Sequence, residues 1–440
     1  MPTRPANKRS ALFAGQKVEV HRTWVRGVDK SMMRFSSSAL IVACLVLLCG
    51  MADAQSHAAT ARSPQHLRDG YAGDSACRSC HAEQSDSFVK TSHHLTSQLP
   101  TGEAMLGSFT HGSNQLLIPG TRNGGSPTLY IMDKNASGYY VSAASGSSAH
   151  AATRSERIGI VIGSGVRGQS YLYWHGEELY ELPISYWSDG KQWINSPGFS
   201  NGPPVFDRPA SPRCLECHVT YLEPLSPDPA DNRYHLTTLV TGISCEVCHG
   251  PGARHVALHR HAGSAPASDE AILNPARFVR DRQVDMCALC HNGAQQTLLG
   301  DAFSYKPGQP LSDYLEANPA DSAPRPDVHA NQVELLKRSR CYLNSPQMSC
   351  STCHQVHAPE RAAASYSTHC LSCHRVESCG VSKHLGKQIA ANCIDCHMPV
   401  LQTDAIISQT GDRTIRTRMR THWIKVYPDA ARELPGSVTP

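Results

Sequence analysis

Residues 350–374 read CSTCHQVHAPERAAASYSTHCLSCH, in which two cysteines separated by two residues and followed at once by histidine appear twice, 20 residues apart. The same frame occurs as CRSCH at 77–81, CLECH at 214–218, CEVCH at 245–249, CALCH at 287–291 and CIDCH at 393–397. The chain holds 18 Cys and 24 His in 440 residues, and shuffling at those frequencies yields about 0.04 such frames. Seven of them are a designed repeat.

An oxidising compartment permits disulfides and C-x-x-C also builds zinc knuckles, but neither chemistry asks for histidine directly after every pair. C-x-x-C-H is the attachment signature of c-type haem. Two thiols form thioethers to the haem edge, and the adjacent imidazole reaches the iron. The predicted attachment pairs are Cys77/Cys80, Cys214/Cys217, Cys245/Cys248, Cys287/Cys290, Cys350/Cys353, Cys370/Cys373 and Cys393/Cys396. The proximal iron ligands are His81, His218, His249, His291, His354, His374 and His397. The expected cofactors are seven covalently bound c-type haems.

The N-terminal residues carry positive charge, then the apolar run SALIVACLVLLCG at 38–50, then MADAQS. This pattern predicts a signal peptide over 1–54, cut before Gln55, with Met32 or Met33 as an alternative start. The apolar core is shorter than the ~20 residues that cross a bilayer, so no stable span is expected in the mature chain. The leader holds 8 Lys+Arg and 3 Asp+Glu of totals 41 and 37, leaving 33 basic against 34 acidic residues. Such a balance gives no support to nucleic-acid binding. Export predicts a periplasmic or extracellular location, with periplasmic or membrane redox proteins as partners.

Residues 55–440 give roughly 55 residues per haem, too few for independent side-chain cores around each motif. Haem faces are therefore expected to supply much of the buried apolar surface. Up to 14 propionates would make the loaded protein more acidic than its sequence.

The sixth iron position separates a carrier from a catalyst: two protein ligands favour electron shuttling, while an open position permits substrate chemistry. Sixteen histidines outside the motifs and the leader are candidates. His93 or His94, in KTSHHLTSQLP after the first motif (70–104), is a predicted distal ligand. His255 follows the third motif in GPGARHV, where glycines let the backbone pass close to a macrocycle. His357 lies three residues beyond His354, so it is expected to reach a neighbouring haem. His329 precedes a helical stretch, and His422 in RTHWIKV is placed to close a remaining site. His175 reads as a turn residue. His235, His259, His261, His369 and His384 read as propionate partners or surface residues.

Between the first two motifs, TLYIMD, GYYVSA, ERIGIVIGSG and SYLYWHGEELYELPISYW alternate with Gly, Asn and Ser, predicting a β-rich insertion over 105–200. Residues 201–298 and 329–427 form two three-haem segments, joined by a connector at 299–328 and followed by a tail at 428–440. Cys341 and Cys379 are left over. Their even number and export suggest a disulfide enclosing the fifth and sixth motifs, with two buried or reactive thiols as the alternative.

HHLTS, ERIGIVIGSG…SYLYWHGEELYELPISYW, SPRCLECH, ISCEVCHGPGARHV, SRCY…MSCSTCHQVHAPE and ANCIDCHMP resemble a family of exported multihaem c-type cytochromes. That family is related to the tetrahaem cytochrome of nitrifying bacteria, and many members are fused to TPR repeats. The resemblance spans about residues 70–427. It implies a mainly α and irregular multihaem cytochrome c fold, bis-His ligation and single-electron transfer, and it adds support for His255, His357 and His422 as distal ligands. The chain ends soon after its last motif, so a TPR-mediated partner role does not carry over. The alternative function is a multihaem oxidoreductase acting on a small nitrogen or sulfur compound at one open-coordinate haem; a polymeric wire is a third.

Overall fold

The strand-like runs between the first and second motifs fold as two antiparallel sheets. The computed structural model describes residues 69–120, 126–146, 152–261, 271–293, 296–316, 331–360 and 362–432. The expected signal peptide, His329 and part of the connector lie outside the described residues.

In chain order the first ten strands are Ser97–Gln98 (β1), Gln115–Ile118 (β2), Thr128–Asn135 (β3), Gly138–Ser145 (β4), Ala152–Arg157 (β5), Ile160–Ile162 (β6), Gly168–His175 (β7), Glu178–Trp187 (β8), Gln192–Asn195 (β9) and Arg208–Pro209 (β10). One sheet has the order β2-β3-β4-β5; the other runs β1-β6-β7-β8-β10, with β9 on β8. Alternation decides what faces inward. Tyr130 and Met132 on β3, and Tyr139, Val141 and Ala143 on β4, are buried while their neighbours are not. They meet Tyr171, Tyr173, Leu182, Ile184 and Trp193 from the second sheet in one core. Each fully buried large side chain contributes about 1.5–3 kcal/mol. His175 pairs with Glu178 across a two-residue turn whose Gly176 has φ 63°, a conformation glycine adopts without a Cβ clash.

The second sheet is covered on both faces. Ile160, Leu172 and Leu179 point away from the sandwich core and pack with Leu215, Val219, Leu222, Tyr234 and Phe303. Leu215 lies inside the second motif, so the sheet is a wall against which that motif is set. β1, just beyond the first motif, pairs with β6 through Ser97↔Ile162.

The motif-bearing segments are short helices and turns. Arg280–His291 carries the fourth motif and is 12 residues long; its Val284, Ala288 and Leu289 pack on Leu311, Tyr314, Leu315, Val333 and Tyr342. Val219–Tyr221 (β11) pairs with Val240–Thr241 (β12). Near the C-terminus, Val400–Thr410 (β13) and Arg413–Arg420 (β14) form a hairpin within a stretch expected only to carry haem motifs and a distal ligand. The fold is therefore mixed, with several antiparallel sheets, rather than mainly α. No helix among the described residues is long and apolar enough to cross a membrane.

Candidate functional site

At the first, fifth and sixth motifs the local backbone is a single helical turn. His81, His354 and His374 each donate their backbone N–H to the carbonyl of the first cysteine four residues earlier, at 2.9, 3.0 and 2.9 Å. That turn brings residues three and four apart onto one side, which puts both thiols and the imidazole within reach of one planar group.

All seven motif histidines and thirteen of the fourteen motif cysteines, Cys214 excepted, line one continuous cavity of about 3000 Å³. Ordinary ligand pockets are about 300–1,000 Å³. Several thiols of different motifs interact across it: Cys77 with Cys245, Cys217 with Cys290, Cys287 with Cys350, and Cys370 with Cys393. Attachment sites one and three, two and four, four and five, and six and seven are therefore neighbours. The nearby Cys290 lowers the Cys217 thiol pKa, against burial that raises it. Burial pushes the Cys248 thiol up to about 11.

Four motif histidines face a second imidazole. Ring centres are 6.3 Å apart for His81 and His255, 6.0 Å for His249 and His357, 6.0 Å for His354 and His422, and 6.1 Å for His291 and His93. The first three pairs lie within 21° of parallel; the fourth is at 81°. A metal–imidazole bond of about 2 Å plus about 1.1 Å from nitrogen to ring centre, counted on both sides, gives about 6.2 Å. The chain's residues thus fit a group held between two imidazoles at these four places.

The outer partners fit as well. His249 Nδ1 lies 2.9 Å from the Leu273 carbonyl and His397 Nδ1 3.0 Å from the Lys425 carbonyl. A carbonyl can only accept, so each Nδ1 carries the proton and Nε2 is the nitrogen left for a metal. His218 Nδ1 is 3.0 Å from the Thr96 hydroxyl. Burial lowers the pKa of His93, His354 and His357, and takes His422 down to about 4. Neutral imidazole is the form that binds iron.

Of the predicted distal residues, His255 and His357 face motifs one and three, and His422 faces motif five. His93 faces the fourth motif. His94 instead packs edge-on against Phe88, with Nδ1 3.9 Å from Asp74. His175 sits at the end of β7. His259 lies beside His255, centres 4.5 Å apart, and His369 is 4.0 Å from Glu360. The suggested Cys341–Cys379 disulfide is not formed: both thiols are free. Cys341 interacts with Cys373, whereas Cys379 interacts with Cys396, so the two belong to different motif neighbourhoods.

Two glutamates inside motifs escaped sequence reasoning. Glu246 of CEVCH accepts from the backbone N–H groups of Ala72, Gly73 and Gly252 at 2.8, 2.9 and 2.8 Å, and Cys245 N donates to Asp74 at 3.1 Å. Motifs one and three are pinned together by these bonds. Glu216 of CLECH is buried and accepts from Phe303 N at 2.6 Å and from the Tyr314 hydroxyl, with Arg213 at 3.3 Å. Burial raises its pKa against those donors. Arg213 also donates to Leu289 O at 2.7 Å, joining motifs two and four. Phe303 holds φ 61°, a left-handed conformation costly for a bulky residue and retained where it delivers its N–H to Glu216. The available signal was a carboxylate between the two cysteines of a motif, as in CLECH and CEVCH.

The Cytochrome c554 and c-prime family model matches residues 200–250, the stretch holding the second and third motifs. Among solved structures, outer cell wall cytochrome OcwA is similar with TM-score 0.50 and 16% identity, covering 82% of this chain and 81% of that one. At that identity the likeness is one of fold. No curated protein matches the chain in sequence. The repeated attachment frame, the facing imidazoles, the family match and the shared fold together support a multihaem c-type cytochrome.

Proposed function

We propose that the chain is a periplasmic heptahaem c-type cytochrome that transfers single electrons between redox partners, related to the tetrahaem cytochrome of nitrifying bacteria. The observation that carries this reading is the set of four imidazole pairs at 6.0–6.3 Å. Haem supplies a one-electron ferric/ferrous couple whose potential depends on axial ligands, burial and hydrogen bonding. Residues Cys77 to Cys396 of the seven motifs would hold it through paired thiols, with His81, His218, His249, His291, His354, His374 and His397 as proximal ligands. His255, His357, His93 and His422 would be distal ligands opposite His81, His249, His291 and His354. Glu246 and the Glu216–Arg213 pair hold neighbouring motifs in register, and the Leu273 and Lys425 carbonyls orient His249 and His397.

Thiol contacts support a connected array: site one beside three, three beside four through Cys248 and Cys287, four beside five, five beside six through Cys353 and Cys373, six beside seven, and two beside four. A carrier needs such continuity, because every site must neighbour another.

Intact mass and low-temperature EPR of the purified protein test the reading. Seven additions of about 616 Da, the mass of a haem, and low-spin ferric signals at the four paired sites are expected. A colourless folded protein, or high-spin signals at all sites, would sink it.

A further inference from the structure

Charge is unevenly distributed along the chain. Residues 400–427 hold five Lys and Arg and two Asp, whereas the rest of 55–440 holds 28 basic and 32 acidic residues. Four of those five cations are arginines of β14. Side chains alternate along a strand, so Arg416 and Arg418 share one face, and both are exposed. Arg413, Arg416 and Arg418 are exposed, and none of these three lines the internal cavity.

The same strand is fastened to the seventh motif. Arg420 donates to Ile394 O at 3.0 Å and Met398 O at 2.7 Å, and pairs with Asp395 at 2.7 Å. Five residues on, the Lys425 carbonyl orients His397, while Lys425 Nζ lies 3.6 Å from the centre of the Trp423 ring. A row of outward arginines is thus rigidly coupled to one attachment site. Arg418 Nη2 also donates to Val400 O across the hairpin at 3.5 Å, while the residue as a whole stays exposed.

We propose that the exposed face of the β13–β14 hairpin, carried by Arg416 and Arg418, is the docking surface for an acidic one-electron redox protein, which exchanges its electron at the seventh attachment site. This rests on the electron-transfer reading above. The partner is acidic because the patch is positive on a chain that is otherwise negative, and the propionates of bound haems deepen that contrast. Opposite charge steers encounter and fixes orientation, raising association rates by about 10–10³ at low salt. A protein partner is favoured over a membrane because the cations form a short row beside one attachment site, not a broad face.

The test uses the purified haem-loaded protein with a plant-type acidic ferredoxin as probe, in two arms. Calorimetry reads binding across salt, and stopped-flow absorbance reads reduction, one electron leaving the ferredoxin cluster for each haem reduced. Arg416→Glu/Arg418→Glu is expected to slow reduction by ferredoxin about tenfold or more at low salt and to weaken binding. Dithionite reduction and haem content should be unchanged. Arg416→Lys/Arg418→Lys keeps the charge and should keep both rate and binding. Equal ferredoxin binding and rate in wild type and the charge-reversed variant would overturn the proposal, as would loss confined to binding of anionic lipid vesicles. Haems that dithionite cannot reduce would instead remove the electron-transfer reading, while calorimetry still judged the surface.

Discussion

The β sandwich and the last three motifs are built on opposite principles. The sandwich has a side-chain interior in which Met132, Val141, Leu182 and Ile184 are completely buried. Among the described residues from 350 to 427, the buried apolar side chains are Leu385, Ile394, Cys396 and Pro399. Yet that stretch carries three attachment motifs and lines much of the 3000 Å³ cavity. One region is held together by its own amino acids; the other is a shell shaped for something the amino acids do not supply. A chain that lacks an interior cannot offset the entropy of ordering its backbone, about 1–2 kcal/mol per residue.

The largest effect should come from withholding haem. In apo-chain produced without haem attachment, hydrogen exchange is expected to show residues 350–427 exchanging as unfolded chain while β3, β4, β7 and β8 remain protected. Equal protection in both regions would erase the distinction.

A pair of substitutions separates the regions in the loaded protein. Leu182→Ala should destabilise the sandwich by about 2–5 kcal/mol without altering the haem spectrum. His422→Ala should do the reverse: one low-spin EPR component becomes high-spin, and the sandwich melts as before. A spectral change from Leu182→Ala would mean that the sheets set haem geometry.

A smaller effect is tied to pH. Glu181 on β8 is partly buried, its side chain 21% exposed, and desolvation raises its pKa to about 7 from the ordinary 4.5, although Arg208 at 3.3 Å opposes the shift. The folded state then holds a proton that the unfolded state releases. Stability from this group is complete below pH 4.5 and falls as pH rises through about 7, by up to about 3 kcal/mol. Urea titrations of the sandwich across this range check the slope, and Glu181→Gln should flatten it. A slope of opposite sign would show that the Arg208 ion pair dominates.

What the sequence disclosed follows the same division. Seven motifs and the strand runs of TLYIMD, GYYVSA and SYLYWHGEELYELPISYW are local patterns, read within a few residues. The β13–β14 hairpin was also partly local: a Gly-Asp pair at 411–412 is a hairpin-turn signal, overshadowed by the motifs around it. Ligand partners were not local. His93 lies 198 residues from His291 and His357 lies 108 from His249, so no spacing rule connects them. Counting cysteines paired Cys341 with Cys379 by parity, but packing assigns them to different motifs. Glu216 reads as a surface residue until Phe303 and Tyr314 close over it.

The two regions are nevertheless joined, and Asn195 stands at the joint. Asn195, the last residue of β9, accepts the Ser408 hydroxyl on its backbone carbonyl at 2.6 Å and donates its N–H to Thr410 Oγ1 at 3.0 Å. Its carboxamide donates to Gln409 O at 3.2 Å. Ser408→Ala removes two buried contacts, to Asn195 O and to Thr410 Oγ1 at 2.8 Å, so a loss of about 1–2 kcal/mol is expected. If the sandwich is self-sufficient, hydrogen exchange should place that loss in residues 400–420, and the sandwich strands should keep their protection. Should β7 and β8 lose protection equally, sandwich and hairpin open as one cooperative unit, and the seventh motif is stabilised by an amino-acid core after all.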